Sequence, residues 1–278
     1  MQLKYKPDFD RVKKYMRAYW NKDIIDRPAA CVYARKEGNR PEKIQRVVYL
    51  QNVKCEDDCR TVMEQFENTA AGVYYGGEAV PFFEATFGPD QVAGFFGAKM
   101  HYSSETGTSW VGPCIDDIRN AGEKLEIKRI GEINPGVENI FRYSGEDGIG
   151  IYDKYLAFSR YFTKFSEGKF LQSIADLHGN MDCLSAMRSP INLCYDIADY
   201  PDEVEKALQK ALKTYDKMAG EMFEAADVKN RGSIGWSPIY CEGRCAVIQC
   251  DFSCLISPDD ARRYVIPSMG KYYRLLPG

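Results

Sequence analysis

Two segments of the chain place a glutamine and then an aspartate at the end of an apolar stretch. In FLQSIAD, alternation along a strand would put Gln172 and Asp176 on one face with Ile174. In CAVIQCD, it would put Gln249 and Asp251 on one face. Active sites of β/α barrels lie at the carboxyl ends of the strands, so the two aspartates are predicted to be catalytic and the two glutamines to bind substrate. The alternative is that each aspartate only begins a loop.

The loop after the first segment, LHGNMDCLSAMRS, adds further polar side chains. His178 is one of only two histidines in the chain, and its imidazole can exchange a proton near neutral pH, so it is predicted to be catalytic. Asn180 and Asp182 are predicted to bind substrate. Arg188 is also predicted to bind substrate, because a guanidinium can donate two hydrogen bonds to one carboxylate. A solvated loop histidine, and an arginine that only opposes a helix dipole, remain the alternatives.

Carboxylates and aromatic rings also occur together elsewhere in the chain. Glu78 and Glu84 flank a Pro-Phe-Phe turn in the segment GGEAVPFFEATFGPD, and Trp110 and Trp236 end two candidate strands. Such side chains at one rim would suit a large planar or cyclic ligand, so Glu84 and the two tryptophans are predicted to bind substrate. Core packing would explain about half of these aromatic residues equally well.

Four of the ten cysteines lie in the segment CEGRCAVIQCDFSC. If its centre is a strand, Cys245 and Cys250 point to opposite faces. A zinc site needs thiolates that converge on one ion, and the segment lacks a CxxC pair. The thiols are therefore interpreted as structural, with Cys250 packed against outer helices, and no metal ligand is predicted in this chain. A local metal or iron–sulfur cluster is the alternative.

The hydrophobic pattern alternates between strands and helices. Helices are predicted from Asp8, over Cys55–Ala71 and Tyr152–Phe165, after Ser189, from Pro201 and after Ser257, with Pro267 bending or ending the last one. Strands are predicted over Ala29–Ala34, Thr108–Val111, Leu125–Ile130, KFLQSIAD, GSIGW and GRCAVIQC, and GGEAVPFFEATFGPD is predicted to be a loop. This order favours a parallel sheet, and its wide spacing, with two short apolar strands each followed by a polar loop and a capped helix, favours a barrel over a Rossmann sheet. GxGxxG and Walker A motifs do not occur, which argues against dinucleotide and P-loop sites.

Composition limits the class of protein. The 278 residues are 45% hydrophobic with a formal charge of −3, which fits either one large core or two modest ones. We expect a single barrel domain over 1–278 with a helical lead-in over about 1–27. No basic run is present, so no nucleic-acid partner is expected. No signal core or long apolar run is present, so we expect no membrane span and a cytoplasmic location with reduced thiols.

The two segments described first also carry a resemblance. DLHGNMDCLSAMRSPINLCYDIADYPDEVEKAL and VIQCDFSCLISPDDARRYVIPSM resemble two consecutive strand–loop–helix segments of the uroporphyrinogen decarboxylase superfamily, and RPAACVY and GTSWVGP also fit. The resemblance implies a TIM-type (β/α)8 barrel with a ligand cleft at the strand carboxyl ends. Members of that superfamily either decarboxylate a tetrapyrrole without a cofactor or are zinc-dependent enzymes that exchange methyl groups with corrinoid proteins or thiols.

Two departures from that pattern shape the expected function. The arginine-rich loop of the decarboxylases corresponds here to ARKEGNRPEK, in which Arg35 and Arg40 are loose substitutes. The His-x-Cys zinc ligands of the methyltransferases do not occur, so we expect a barrel that is incomplete at its C-terminus and has no cofactor of its own. Zinc and a corrinoid protein partner would require a downstream segment that carries His-x-Cys.

The expected function is methyl transfer on a small-molecule substrate with a corrinoid protein or a thiol as acceptor. One alternative is decarboxylation of a porphyrinogen, in which the substrate is a tetrapyrrole. The other is a non-catalytic module that binds a tetrapyrrole or a corrinoid protein. A homodimer is left open.

Overall fold

The computed structural model describes residues 1–38, 46–103, 105, 108–130, 140–142 and 150–275. The chain is mixed α/β, with about 52% of residues in helices and 14% in strands, and a complete TIM barrel is not shown. Within the described ranges, no helix has both the length and the apolar run needed to cross a bilayer.

Most of the predicted helices are confirmed. The helices are α1 (Phe9–Trp20), α2 (Glu56–Ala71), α3 (Gln91–Phe95), α4 (Ile151–Phe165), α5 (Met181–Arg188), α6 (Pro190–Asp199), α7 (Pro201–Ala225), α8 (Val228–Arg231), α9 (Pro258–Asp260) and α10 (Ile266–Leu275).

Local capping explains several of the helix starts. The Ser189 and Ser257 hydroxyls accept the backbone N–H groups of Asn192 (3.4 Å) and Asp260 (3.1 Å), which satisfies first-turn donors that have no partner within the helix. Asp8 precedes α1 as predicted, but its carboxylate pairs with Lys6 instead of capping the helix.

Pro267 was predicted to bend the last helix or to end it early, and the early end is wrong. Residues Ala261–Val265 form a π-helical turn between α9 and α10, and α10 continues past the proline to Leu275. A proline in a regular helix clashes with the carbonyl four residues earlier and removes one hydrogen bond. The π turn lies just before Pro267 and is wider than an α-helical turn. It can therefore make room for the proline ring and tolerate the missing hydrogen bond.

The strands that position the candidate site form a parallel array. β2 (Val47–Tyr49) pairs with β4 (Phe82–Thr86), which pairs with β7 (Leu171–Gln172). The Ile174 N–H donates to the carbonyl of Ile234 (2.8 Å), which places β8 (Ser233–Ile234) beside the end of β7. Because the carboxyl ends of parallel strands lie at one edge, the loops after β4 and β7 meet there.

The remaining strands form antiparallel pairs. β1 (Cys31–Arg35) pairs with β3 (Val73–Gly77), β5 (Met100–Ser103) with β6 (Thr108–Val111), and β8 with β9 (Tyr240–Cys241). The strands predicted at Ala29–Ala34, Thr108–Val111 and GSIGW are therefore confirmed in position, although the first lies in the antiparallel pair and is partly exposed.

Two strand predictions and one loop prediction need correction. Leu125–Ile130 contains no strand and follows a 3-10 helix over Ile118–Lys124. Residues 244–250 run beside β8, with the Cys245 N–H donating to Ser233 Oγ (2.7 Å), but form no ladder. The predicted loop GGEAVPFFEATFGPD contains β4, the middle strand of the parallel array. A short, buried strand lacks the polar alternation that marks a half-exposed one.

The two faces of β4 and β7 have different surroundings. Phe83 stacks on Phe162 of α4 with ring centroids 4.7 Å apart, on the side of the main hydrophobic core. Phe82 and Leu171 instead pack in a second cluster with α1, and we call the face that they share the inner face. Successive side chains of a strand alternate, so Glu84 and Ser173 follow on this inner face.

Candidate functional site

A buried histidine lies at the carboxyl edge of the parallel strands. His178 Nε2 lies 2.9 Å from Asp176 Oδ2 and 2.7 Å from Gln249 Nε2, and its Nδ1 lies 3.4 Å from Asp182 Oδ2. We call Asp176, His178, Asp182, Gln249 and Asp251 the His178 cluster. Its members come from the two segments singled out in the sequence, which the fold brings together.

Helix α5 holds the two segments in place. Asn180 caps this helix by accepting the Asp182 N–H (3.1 Å), and its amide donates to the Gln249 carbonyl (2.9 Å). Asp182, in the first turn, accepts the N–H groups of Asp251 (3.0 Å) and Phe252 (2.8 Å). A carboxylate is favourable at a helix N-terminus, so Asp182 can stabilise α5 and the loop at 251–255 together.

The carboxylates determine the charge of His178. Burial by itself lowers the pKa of His178, but the hydrogen bond and charge of Asp176, followed by the charges of Asp182 and Asp251, outweigh it, so the pKa is raised above its ordinary value. The imidazolium form can donate from both ring nitrogens. Asp251 is exposed and acts on the ring through its charge, without a hydrogen bond to it.

Gln249 and Asp176 both lie against Nε2 of His178. A carboxylate oxygen only accepts, so Nε2 carries the proton that it donates to Asp176 Oδ2. Two nitrogen atoms share a hydrogen bond only if one of them accepts, so the Gln249 amide must turn its oxygen toward the ring in order to bond with Nε2–H.

Glu84 lies on β4, next to the cluster. Burial, and then the charge of Asp176, raise the pKa of Glu84 to about 7, while Arg46 acts in the opposite direction. A carboxyl group with this pKa is partly protonated at neutral pH, which is the range in which a general acid or base is effective. Glu84 was predicted to bind substrate, and the structure places it beside the predicted catalytic Asp176.

Sequence reasoning missed two polar residues just after β4. Gln91, which is fully buried, donates to the Asp176 carbonyl (2.9 Å) and accepts from the Phe87 N–H (3.2 Å). Asp90 accepts the Val111 N–H (3.2 Å); burial raises its pKa, and the charge of His178 acts in the opposite direction. The Gly-Pro-Asp turn after the Phe-Phe run was the available signal, but it requires β4 to be recognised as a strand.

Two predicted substrate-binding residues lie in other networks. Arg188, at the far end of α5, pairs with Asp196 (2.7 Å) and donates to the Asp116 carbonyl (2.8 Å), so its donors hold α5 against α6. Gln172 donates to Ser159 Oγ of α4 (2.8 Å). The predicted face of FLQSIAD is corrected accordingly: Gln172 faces the helices, and Leu171 and Ser173 face inward.

Trp110 and Glu78 contact partners outside the His178 cluster, and Trp236 and Arg35 are exposed. Trp110 stacks on His101 with ring centroids 5.9 Å apart, and Trp236 is exposed after β8. Across the described residues, no hydrogen bond joins either tryptophan to the His178 cluster. Glu78, fully buried, pairs with Arg27 (2.7 Å). Arg35 is exposed on β1, and Arg40 lies outside the described residues.

Cys250 packs as the strand alternation predicted. Ala246, Ile248 and Cys250 lie against the main core on the helix side. Burial raises the pKa of both Cys245 and Cys250 to about 12, and all ten cysteines are free thiols.

The zinc implied by the resemblance does not fit the residues that are described. Within the described ranges, no group of three or more His, Cys, Asp or Glu side chains could hold an ion. In the His178 cluster, Asp176 and Asp182 approach opposite ring nitrogens, so the three side chains cannot converge on one metal.

Comparison of the chain with protein-family models, with curated proteins and with solved structures found no match.

Proposed function

We propose that the chain is the barrel of a uroporphyrinogen decarboxylase-like enzyme that transfers a methyl group between a small molecule and a corrinoid protein or thiol. The observation that supports it most is the pairing of His178 with Asp176 at the carboxyl edge of parallel strands, where barrel enzymes place their chemistry. The side-chain oxygen of Asp176 that does not hold His178 has no hydrogen-bond partner.

The proposed chemistry is proton transfer at the heteroatom that gains or loses the methyl group. The heteroatom–H group of the acceptor lies against Asp176 Oδ1. As the new carbon–heteroatom bond forms, the donor keeps the electron pair of its own bond to the methyl group. The heteroatom passes its proton to the Asp176–His178 pair, and the reverse reaction returns it. A positioned acid–base pair of this kind contributes about 10²–10⁴-fold to rate.

The residues around the pair position it. Gln249 and Asp182 hold the two ring nitrogens of His178, and Asp251 adds negative charge. No step of this mechanism passes through zinc, because the described residues do not fit that ion.

The test uses methylcobalamin as methyl donor and, in separate series, 2-mercaptoethanol and methylamine as acceptors. The expected result is loss of the carbon–cobalt absorbance with formation of the methylated acceptor. His178→Asn should lower the rate about 100-fold. The matched control is His101→Asn, the other histidine, which is exposed on β5 and should leave the rate unchanged. Absence of methyl transfer to both acceptors would refute the proposal.

Porphyrinogen decarboxylation is the second candidate, favoured by the same free oxygen of Asp176. A carboxylate oxygen there could accept a pyrrole N–H and stabilise the cation that forms as carbon dioxide leaves. Incubation of the chain with uroporphyrinogen should then yield coproporphyrinogen, and Asp176→Asn should abolish that product. Recovery of unchanged uroporphyrinogen would eliminate this candidate.

A further inference from the structure

Three polar side chains next to the His178 cluster lack hydrogen-bond partners. Ser173 is fully buried, and its Oγ makes no hydrogen bond. Asp176 Oδ1 is buried and makes none either. Glu84 is partly buried, and of the described residues none forms a hydrogen bond or ion pair with its carboxyl. Buried polar groups are nearly always paired in native proteins, so the two buried, unpaired oxygens of Ser173 and Asp176 point to a ligand.

The register of the strands places two of these groups side by side. Phe82 pairs with Leu171 and Phe83 with Gln172, so the next step of the parallel ladder sets Glu84 beside Ser173. Side chains at paired positions of neighbouring strands point to the same face. Asp176 follows three residues after Ser173, and its charge acts on Glu84. The side chain of Asp176 is 18% exposed, although its Oδ1 is buried.

The surrounding charge selects a cation. Asp176, Asp182 and Asp251 already exceed the single charge of His178, and Glu84 adds another when it is ionised. The guanidinium of Arg46 lies over the rings of Tyr33 (4.8 Å) and Phe82 (5.4 Å), and its charge acts on Glu84 in the opposite direction to that of Asp176. An ammonium group carries positive charge and up to three N–H donors, which matches two carboxylates and a hydroxyl.

We propose that Glu84, Ser173 and Asp176 bind a primary or secondary ammonium group, so that the small molecule handled at this site is an alkylamine. The assignment of this amine as the substrate rests on the proposed methyl transfer. Its binding does not, because it depends only on the three acceptors and their charge.

The experiment measures binding of methylammonium chloride to the full chain by titration calorimetry. Ser173→Ala and Glu84→Gln should each weaken binding about 10-fold, the loss that corresponds to one hydrogen bond to a charged group. The matched controls are Ser253→Ala and Glu64→Gln, exposed residues outside the site that should bind like the parent chain. Tetramethylammonium, which has the charge but no N–H donor, should bind at least about 10-fold more weakly than methylammonium.

A second readout separates a binding role from a structural one. Removing an unpaired buried hydroxyl should stabilise the ligand-free chain, so Ser173→Ala should raise the thermal midpoint by about 2 °C while it weakens binding. Three results would each overturn the inference: no binding of methylammonium, equal binding of tetramethylammonium, or unchanged binding by Ser173→Ala. Methylammonium binding without methyl transfer would refute the proposed function but not this inference. Methyl transfer to the thiol without methylammonium binding would refute this inference but not the proposed function.

Discussion

Asp182 is the side chain whose removal should most directly separate the two halves of the candidate site. Its carboxylate accepts two backbone N–H groups, from Asp251 at 3.0 Å and Phe252 at 2.8 Å, and faces Nδ1 of His178 at 3.4 Å. Asp182→Ala removes all three interactions but keeps the backbone N–H that Asn180 accepts. The helix cap should therefore survive, and the loop at 251–255 should lose its attachment.

The size of the effect follows from the two N–H groups. A hydrogen bond to a charged group contributes about 1.5–3 kcal/mol. The Asp251 N–H belongs to an exposed residue and can bind water instead, so it contributes at the low end, whereas Phe252 is 4% exposed. We expect Asp182→Ala to lower the free energy of unfolding by about 3 kcal/mol. Asp182→Asn, which keeps one acceptor oxygen, should lower it by about half as much.

Urea unfolding measures the change in stability, and an NMR titration measures the pKa of His178. That pKa should fall in Asp182→Ala, because one of the carboxylates that raise it is gone. Asp259→Ala removes a highly exposed carboxylate from the nearby helix α9 and should leave both measurements unchanged. If Asp182→Ala matches this control in stability, the loop is not held by Asp182 and the reasoning fails.

Two further predictions concern Glu84 and Arg231. Burial and the charge of Asp176 raise the pKa of Glu84 from 4.5 to about 7, so the folded chain binds this proton more tightly than the unfolded chain. The protonated Glu84 therefore contributes to the free energy of unfolding in full below about pH 4.5, and this contribution is lost as the pH rises through about 7. Glu84→Gln should therefore remove this fall in the free energy of unfolding with rising pH, which amounts to at most about 3 kcal/mol. Urea unfolding at a series of pH values measures it, and an unchanged pH profile would contradict the prediction. Arg231 is buried and donates four hydrogen bonds, to the Thr163 carbonyl (2.9 Å), to Ser166 Oγ (3.0 Å), and to the Ser166 (3.0 Å) and Phe170 (2.8 Å) carbonyls. Arg231→Met should lower the free energy of unfolding by at least about 3 kcal/mol, whereas the exposed Arg160→Met should not change it; equal stability of the two variants would show that the buried arginine is dispensable.

Local signals in the sequence were enough to locate the helices. The Ser-Pro pairs at 189–190 and 257–258 begin helices because a serine hydroxyl meets a backbone N–H only three residues away. The long stripe from Val204 to Met222 is buried along α7 because an amphipathic helix turns one side to the core. Each of these features is decided within one or two turns of chain, so distant residues change them little.

The facing of the strands could not be predicted in the same way. Alternation correctly placed Cys250 on the helix side, with Ala246 and Ile248. It placed Gln172 in the site, whereas the structure turns Gln172 toward Ser159 of α4 and leaves Ser173 inward. Alternation fixes which residues share a face but not which face is inside. That depends on where α1 and α4 pack.

By itself, the sequence determined the mixed α/β order, the helix starts and the two segments that meet around His178. Only the tertiary structure decided that Arg188 pairs with Asp196, that Gln91 supports Asp176, and that Glu84 lies beside Asp176. Glu84 and Asp176 are far apart in the chain and meet because β4 and β7 are neighbours in the parallel array. Burial and charge act through space, so the pKa of a carboxyl group depends on neighbours that no local pattern in the sequence specifies.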